Sequence, residues 1–289
     1  MSSWSPLDKA CAECKEGLSA AELLVYGIPN YEQELSMKAH ILTEMTWPEV
    51  EAALSEVKIA IIPVGAHEQH GPHMTESCDA VLAEAMAKKL AERVYPTAIV
   101  APTIPMGISP HHMKFPGTIT LQPDTLLSIL RDMVRSLSQH GIKNFLFMNG
   151  HGGNQGLLGT ASTVLSAEFN VNCYYAKTTA SAKKAIAKHV HSKLFGHSCE
   201  REVSEALYLA PQLVRADQLT PADIVNNGRW QLLRPGQAIQ GFYRYDEMTR
   251  SGNIGDATQA SYEIGQDIVE EALDHLTSQL TQLLEVTQA

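Results

Sequence analysis

The chain has 289 residues, 44% hydrophobic and 19% charged, enough for one large α/β domain with a sizeable core. Its 22 Lys and Arg against 32 Asp and Glu give a formal net charge of -10. No basic run follows a phosphate backbone, which argues against nucleic acid as a partner. No apolar stretch approaches the roughly 20 residues of a bilayer span, and Met1 to Lys9 lacks the charge cluster and apolar core of a secretory signal, so the expected compartment is the cytoplasm.

Residues 1–37 mix polar and apolar positions without a sustained period, with a turn at Gly27-Ile28-Pro29, and are expected to form an N-terminal extension to a domain over 38–289. Cys11 and Cys14 form a Cys-x-x-Cys pair. No second pair completes a zinc site and no strand precedes it for a redox motif, so its expected role is structural or incidental. The five cysteines are an odd number and read as thiols rather than a disulfide framework.

Thr46-Trp47-Pro48-Glu49 then reads as a helix start: a capping hydroxyl, a proline in the first turn and an acid at the positive end, with the helix running to about Ser55. From there strand and helix patterns alternate. Strands are predicted over Ile59 to Val64, Thr97 to Ala101, Asn144 to Met148 and Val171 to Ala176. Helices are predicted over Asp79 to Val94, Pro123 to His140, Gln155 to Phe169 and about Ala260 to Leu284. Strands separated by single helices imply parallel pairing with right-handed crossovers, hence a three-layer α/β/α domain with a mainly parallel sheet. In such sheets sites gather at the carboxyl ends of the strands. The glycine- and proline-punctuated stretch Pro211 to Ser251, with Arg229, Trp230, Gln231, Tyr243, Arg244 and Tyr245, reads as an irregular excursion over a site or a subunit contact.

Three segments carry chemistry. Gly65-Ala66-His67-Glu68-Gln69-His70-Gly71-Pro72-His73, followed by Asp79, begins where the first apolar strand stops, and it offers oxygen and imidazole donors on a stiff loop, as a divalent metal needs. Asn149-Gly150-His151-Gly152-Gly153-Asn154 ends a second strand and opens a helix. Its glycines admit a close ligand and His151 adds an imidazole, while neither the dinucleotide fingerprint nor the P-loop is matched. In Gly196-His197-Ser198-Cys199-Glu200-Arg201-Glu202-Val203-Ser204-Glu205, helical spacing lets Glu202 project inward while Glu200 or Glu205 faces solvent.

Taken in order, with Phe115-Pro116-Gly117-Thr118 between the first two segments and Ser251-Gly252-x-x-Gly255-Asp256 after the third, these motifs resemble the creatininase family from about Leu42 to Leu280. The resemblance implies a creatininase-like α/β/α fold and two divalent ions per chain, Zn, Mn or Fe. One ion would sit on Glu68, Asp79 and His151 and the other on His70, Asp79 and Glu202, with Asp79 bridging. It further implies hydrolysis by a hydroxide between the ions, with His197 as the catalytic histidine, His73, Gly152, Gly153 and Asn154 as substrate-binding or supporting residues, and a homo-oligomer, often a hexamer. The chain departs from the family at Gly153, where a metal-binding carboxylate is usual, and at Val203, Ser198-Cys199 and Met74-Thr75. Those departures point away from creatinine itself, and the resemblance implies another small cyclic or formyl amide as substrate. Two alternatives stay open: ring opening of a keto-inositol at a carbon-carbon bond, and a non-catalytic metal-dependent binding or maturation protein.

Overall fold

The computed structural model describes residues 38–226 and 228–286; the expected extension over 1–37, with Cys11 and Cys14, lies outside the described residues. Five strands, β1 (His40–Ile41), β2 (Ile59–Val64), β3 (Ala98–Val100), β4 (Asn144–Asn149) and β5 (Asn172–Lys177), form one sheet in the order β1-β3-β2-β4-β5. Every pairing is parallel. Seven α-helices are described: α1 (Trp47–Ala53), α2 (Cys78–Arg93), α3 (Pro123–Gln139), α4 (Gln155–Phe169), α5 (Lys183–His189), α6 (Glu200–Leu209) and α7 (Tyr262–Val286).

The three layers follow from strand periodicity. Along β2 and β4 successive side chains point to opposite faces. Ile59, Ile61, Leu146 and Met148 meet Met86, Ala87 and Leu90 of α2 and Ile268, Val269 and Ala272 of α7. Their sequence neighbours Ala60, Ile62, Phe145 and Phe147 meet Leu126, Leu130 and Val134 of α3 and Leu158, Ala161 and Leu165 of α4. Both faces are therefore covered, as the unbroken apolar runs of these strands require. Burying each such side chain contributes about 1.5–3 kcal/mol. At the start of α1 the Glu49 carboxylate accepts from the Thr46 N–H (2.7 Å) and the Thr46 hydroxyl (2.6 Å), which satisfies an otherwise unpaired donor.

The chain leaves β2 toward β3 on one side and returns to β4 on the other, so the strand order reverses beside β2 and β4. A crevice opens at their carboxyl ends at such a switch point. Val64 is in register with Asn149, which brings the loops that follow the two strands out side by side. No helix among the described residues is long and apolar enough to cross a membrane.

Candidate metal centre

Two glycines set the floor of the site. A Cβ on Gly65 would lie 2.3 Å from the Ala80 Cα, and one on Gly150 would lie 2.3 Å from the Asp79 carbonyl oxygen. Only glycine lets both strand ends close onto the first turn of α2. That approach places Asp79 between the two loops, at the positive end of its helix.

The Asp79 carboxylate then faces both ways. Its Oδ1 lies 3.2 Å from His70 Nε2, which in turn lies 3.7 Å from Glu202 Oε2. Its Oδ2 lies 3.1 Å from His151 Nδ1, which lies 3.2 Å from Glu68 Oε1. These four contacts link the five residues expected as ligands, with Asp79 at the middle. Donor atoms about 2.0–2.2 Å from one ion stand roughly 3.4 Å apart at a tetrahedral angle, and these four separations are of that size; among the described residues the triads whose donor atoms all lie within 4.8 Å of one another are His70-Cys78-Asp79, His70-His197-Glu202, Glu68-His111-His151 and Glu68-His112-His197.

Hydrogen bonds aim the donors. His70 Nδ1 donates to the Glu68 carbonyl (3.0 Å) and His151 Nε2 to the Ile108 carbonyl (3.0 Å), so in each ring the other nitrogen turns to the carboxylates. Glu202 Oε2 accepts from the Ser198 N–H, and Ser198 holds a left-handed backbone (φ 48°) to present it. The Ser198 hydroxyl donates to the His70 carbonyl, tying the first and third segments together.

The donor set calls for positive charge. Glu68, Asp79 and Glu202 are all buried, and both Glu68 oxygens, Asp79 Oδ2 and His70 Nε2 make no hydrogen bond among the described residues. Burial pushes the Glu202 carboxyl up to about 7. Against burial, the Glu68 and Asp79 carboxylates raise His151, and Cys78 and Asp79 raise His70, well above the usual imidazole range. Divalent cations satisfy such a set and leave the imidazoles neutral as ligands, so the residues fit the metal.

His197 is buried at the same place. Its Nε2 donates to the Gln69 carbonyl (2.7 Å) and its Nδ1 lies 3.7 Å from Glu68 Oε1. An unperturbed imidazole titrates near neutral pH, but burial, with His70 beside it, pushes His197 down to about 3.

Among the supporting residues, His73 and Asn154 do not line the cavity described below. His73 Nε2 donates to the Ser198 carbonyl (2.9 Å). Asn154 joins two loops, accepting from Ile108 N–H and donating to the Gly65 carbonyl, both at 2.9 Å. Gly152 and Gly153 do line the cavity. A Cβ on Gly153 would lie 2.2 Å from the Ile108 oxygen and 2.4 Å from His151 Nε2, so this loop has no space for the family's carboxylate there.

Glu200 and Glu205 correct the expectation that one of them faces solvent, since both are buried. Glu200 accepts from the N–H groups of Ser192 (3.2 Å) and Asp256 (2.9 Å). Glu205 accepts from the Thr179 hydroxyl (2.7 Å) and pairs with Arg201. Helix α6 is enclosed on more than one side, with α7 packed so closely that a Cβ on Gly265 would meet the Ser204 oxygen.

Cys78, Cys173 and Cys199 are free and buried, as expected of thiols, and burial pushes the Cys78 thiol up to about 12. The two flanking motifs support Gln69: the Thr118 hydroxyl accepts from its N–H (3.3 Å), and the Gly252 carbonyl accepts from its side chain (2.9 Å).

Sequence reasoning missed His111 and His112. His112 Nδ1 accepts from Gln69 Nε2 (2.8 Å), leaving Nε2 3.3 Å from Glu68 Oε1. The signal was available as two adjacent imidazoles just before Phe115-Pro116-Gly117-Thr118.

A cavity of about 850 Å³ opens over the centre, lined by Glu68, Asp79, His151, His197 and Glu202 below and by Phe242, Tyr243 and Tyr245 of the excursion above. The Tyr245 ring lies 3.9 Å from His112 and 4.9 Å from His197, centroid to centroid. The excursion therefore covers the site, as one of its two expected roles. Trp230 instead packs in a small core with Met248 and Ile254.

The creatininase family model, described as creatinine amidohydrolase, matches residues 43–280. The creatinine amidohydrolase of Pseudomonas putida is 37% identical over 120 residues, 39% of this chain and 45% of that protein, so the match spans less than half the length of that relative. The mycofactocin precursor peptide peptidase of Mycobacterium tuberculosis is 30% identical over 222 residues, 74% of this chain and 81% of that protein. The solved structure "Creatininase Mn" superposes with a TM-score of 0.72 at 26% identity, covering 86% of this chain and 99% of that one. With the fold and the paired donor sets, the match over residues 43–280 shows that the chain belongs to the creatininase family of metal-dependent amide hydrolases.

Proposed function

We propose that the protein hydrolyses the C–N bond of an amide other than creatinine at a centre of two divalent ions, Zn, Mn or Fe, held by Glu68, His70, Asp79, His151 and Glu202. The observation that carries this is the Asp79 carboxylate, with one oxygen 3.2 Å from His70 and the other 3.1 Å from His151. Divalent ions held by these residues would supply Lewis acidity there, activating a water at neutral pH and polarising the amide carbonyl. The chain's own residues do the rest. His197, fixed through Nε2–H on the Gln69 carbonyl, lines the cavity with Nδ1 toward Glu68, placed to pass a proton to the leaving nitrogen. Tyr243 and Tyr245 line the cavity beside the reacting groups.

The cavity volume supports a substrate well above the size of creatinine, within the reach of formyl amides and short peptide amides. The name of the M. tuberculosis relative, a peptide peptidase, supports the same direction. Exposed Leu232, Ile239 and Phe242 support a homo-oligomer with a subunit contact at the cavity rim.

The test measures bound metal per chain and, on the same sample, cleavage of creatinine, cyclic amides, formamido compounds, short peptides and keto-inositols before and after chelation. Two ions per chain, chelator-sensitive amide cleavage, and loss of about 10²–10⁴ in turnover with retained metal in His197→Ala are expected. Cleavage of keto-inositols alone, or a metal-free folded protein with full turnover, would overturn the proposal.

A further inference from the structure

Arg201 and Lys177 line the cavity beside the metal centre, and neither has a role in the chemistry above. Arg201 immediately precedes Glu202 on α6. Lys177 ends β5 in register with Asn149, two residues before His151. Arg201 pairs electrostatically with the carboxylate behind it: its Nε lies 3.2 Å from Glu205 Oε1 without making a hydrogen bond, and the Thr179 hydroxyl donates to that same carboxylate. Its side chain keeps 21% of its surface open, and neither Nη makes a hydrogen bond among the described residues. Lys177 is exposed and has no ion pair among them. The carboxylates of the cavity belong to the metal donor sets, so these two cations are the charges left for a ligand.

Resting on the amide-hydrolase reading, the geometry points to Arg201 as the specificity residue for a carboxylate on the substrate, with Lys177 assisting. The substrate class is then an N-acyl amino acid or a short peptide with a free carboxyl end, placed so that its amide carbonyl lies over Glu68, Asp79 and Glu202. A guanidinium presents its N–H groups as a planar fork that matches a carboxylate in two parallel bonds.

The test is equilibrium binding to the metal-loaded protein of 4-oxopentanoate and 4-oxopentanamide. These are isosteres of N-acetylglycine and its amide in which CH₂ replaces the amide N–H, so no bond is cleaved. The wild type should bind the acid at least about tenfold tighter than the amide, the scale of hydrogen bonds to a charged partner. That ratio should fall to near one in Arg201→Gln and by a smaller factor in Lys177→Gln, and Arg201→Lys should keep a part of it. The double variant R201Q/E205Q, which leaves no buried carboxylate unpaired, reports the same loss if the single variant folds poorly. Equal or undetectable binding of both probes by the wild type, or an unchanged ratio in Arg201→Gln, overturns the inference, because direct ligation of the carboxylate by the ions would survive that substitution. A persistent acid preference in a protein that cleaves no amide would instead leave the carboxylate site standing and remove the hydrolase reading.

Discussion

The sharpest contrast in the site lies between two adjacent glycines. A Cβ on Gly152 meets nothing within 4 Å, whereas one on Gly153 would stand 2.2 Å from the Ile108 oxygen, 2.4 Å from His151 Nε2 and 3.0 Å from His111 Cε1. Ordinary contact between such atoms begins near 3.5 Å, so the loop must open by roughly 1 Å in Gly153→Ala. That movement breaks the 3.0 Å bond from His151 Nε2 to the Ile108 carbonyl, which turns His151 Nδ1 toward Glu68 and Asp79. Overpacking of this kind costs about 1–3 kcal/mol. For a domain of this size each kcal/mol lowers the melting midpoint by roughly 2–4 °C, so the fall should be about 2–12 °C. Losing the bond that orients a ligand should weaken metal binding by roughly 10–100-fold. Calorimetric melting and metal titration of the wild type, Gly152→Ala and Gly153→Ala decide the matter, with Gly152→Ala expected near the wild type in both. Gly153→Glu should lose metal in the same way rather than add a ligand. A Gly153→Ala protein with wild-type midpoint and metal affinity would refute the packing argument and reopen this position to a carboxylate.

Glu202→Gln removes the one carboxylate that serves His70 without serving His151, so metal per chain should fall from two ions to one with little change in melting; two retained ions, by elemental analysis, would remove Glu202 from the ligand set. Gly265→Ala drives a methyl against the Ser204 backbone oxygen, and a cost of about 1–3 kcal/mol in urea unfolding is expected; a neutral result would show that α7 does not hold α6 in place.

Much of this architecture was legible because the signals were local. The run Ile59 to Val64 reads as a doubly buried strand, and its bounds coincide with β2. Gln155 to Phe169 likewise coincides with α4. The elements that escaped lack any such signal. Strand β1 is two residues long, and α5 buries only Ala185 among its seven residues. The site divided in the same way. Donors at strand ends announce themselves, but His111 and His112 sit in a short turn some 40 residues from either ligand loop, and only the folded chain brings them to Glu68. Glu200 read as half of a solvated acidic turn because its partners, the N–H groups of Ser192 and Asp256, come from loops with no charge to pair with it. Arg201 was hidden by the same acids, since in sequence a cation among glutamates reads as a surface salt bridge.

The topology accounts for the tolerance of Gly153. Four of the five proposed ligands come from the switch point: Glu68 and His70 follow β2, His151 follows β4, and Asp79 opens the helix that both strand ends contact. Their relative positions are fixed by sheet register and by the close approaches at Gly65 and Gly150, not by the loop in which Gly153 lies. Glu202 reaches the centre from a different layer, on α6, held by the left-handed Ser198 and through it by the His70 carbonyl. On the proposed ligand set a carboxylate beside His151 would be dispensable, because Glu202 would serve the His70 side of the centre from an anchor on the loop that carries His70 itself. The same anchor places Arg201 one residue from a ligand, so any shift that spoils the metal geometry also displaces the proposed carboxylate fork. Metal binding and substrate selection would then be lost together in variants of Ser198, and separately in variants of Arg201.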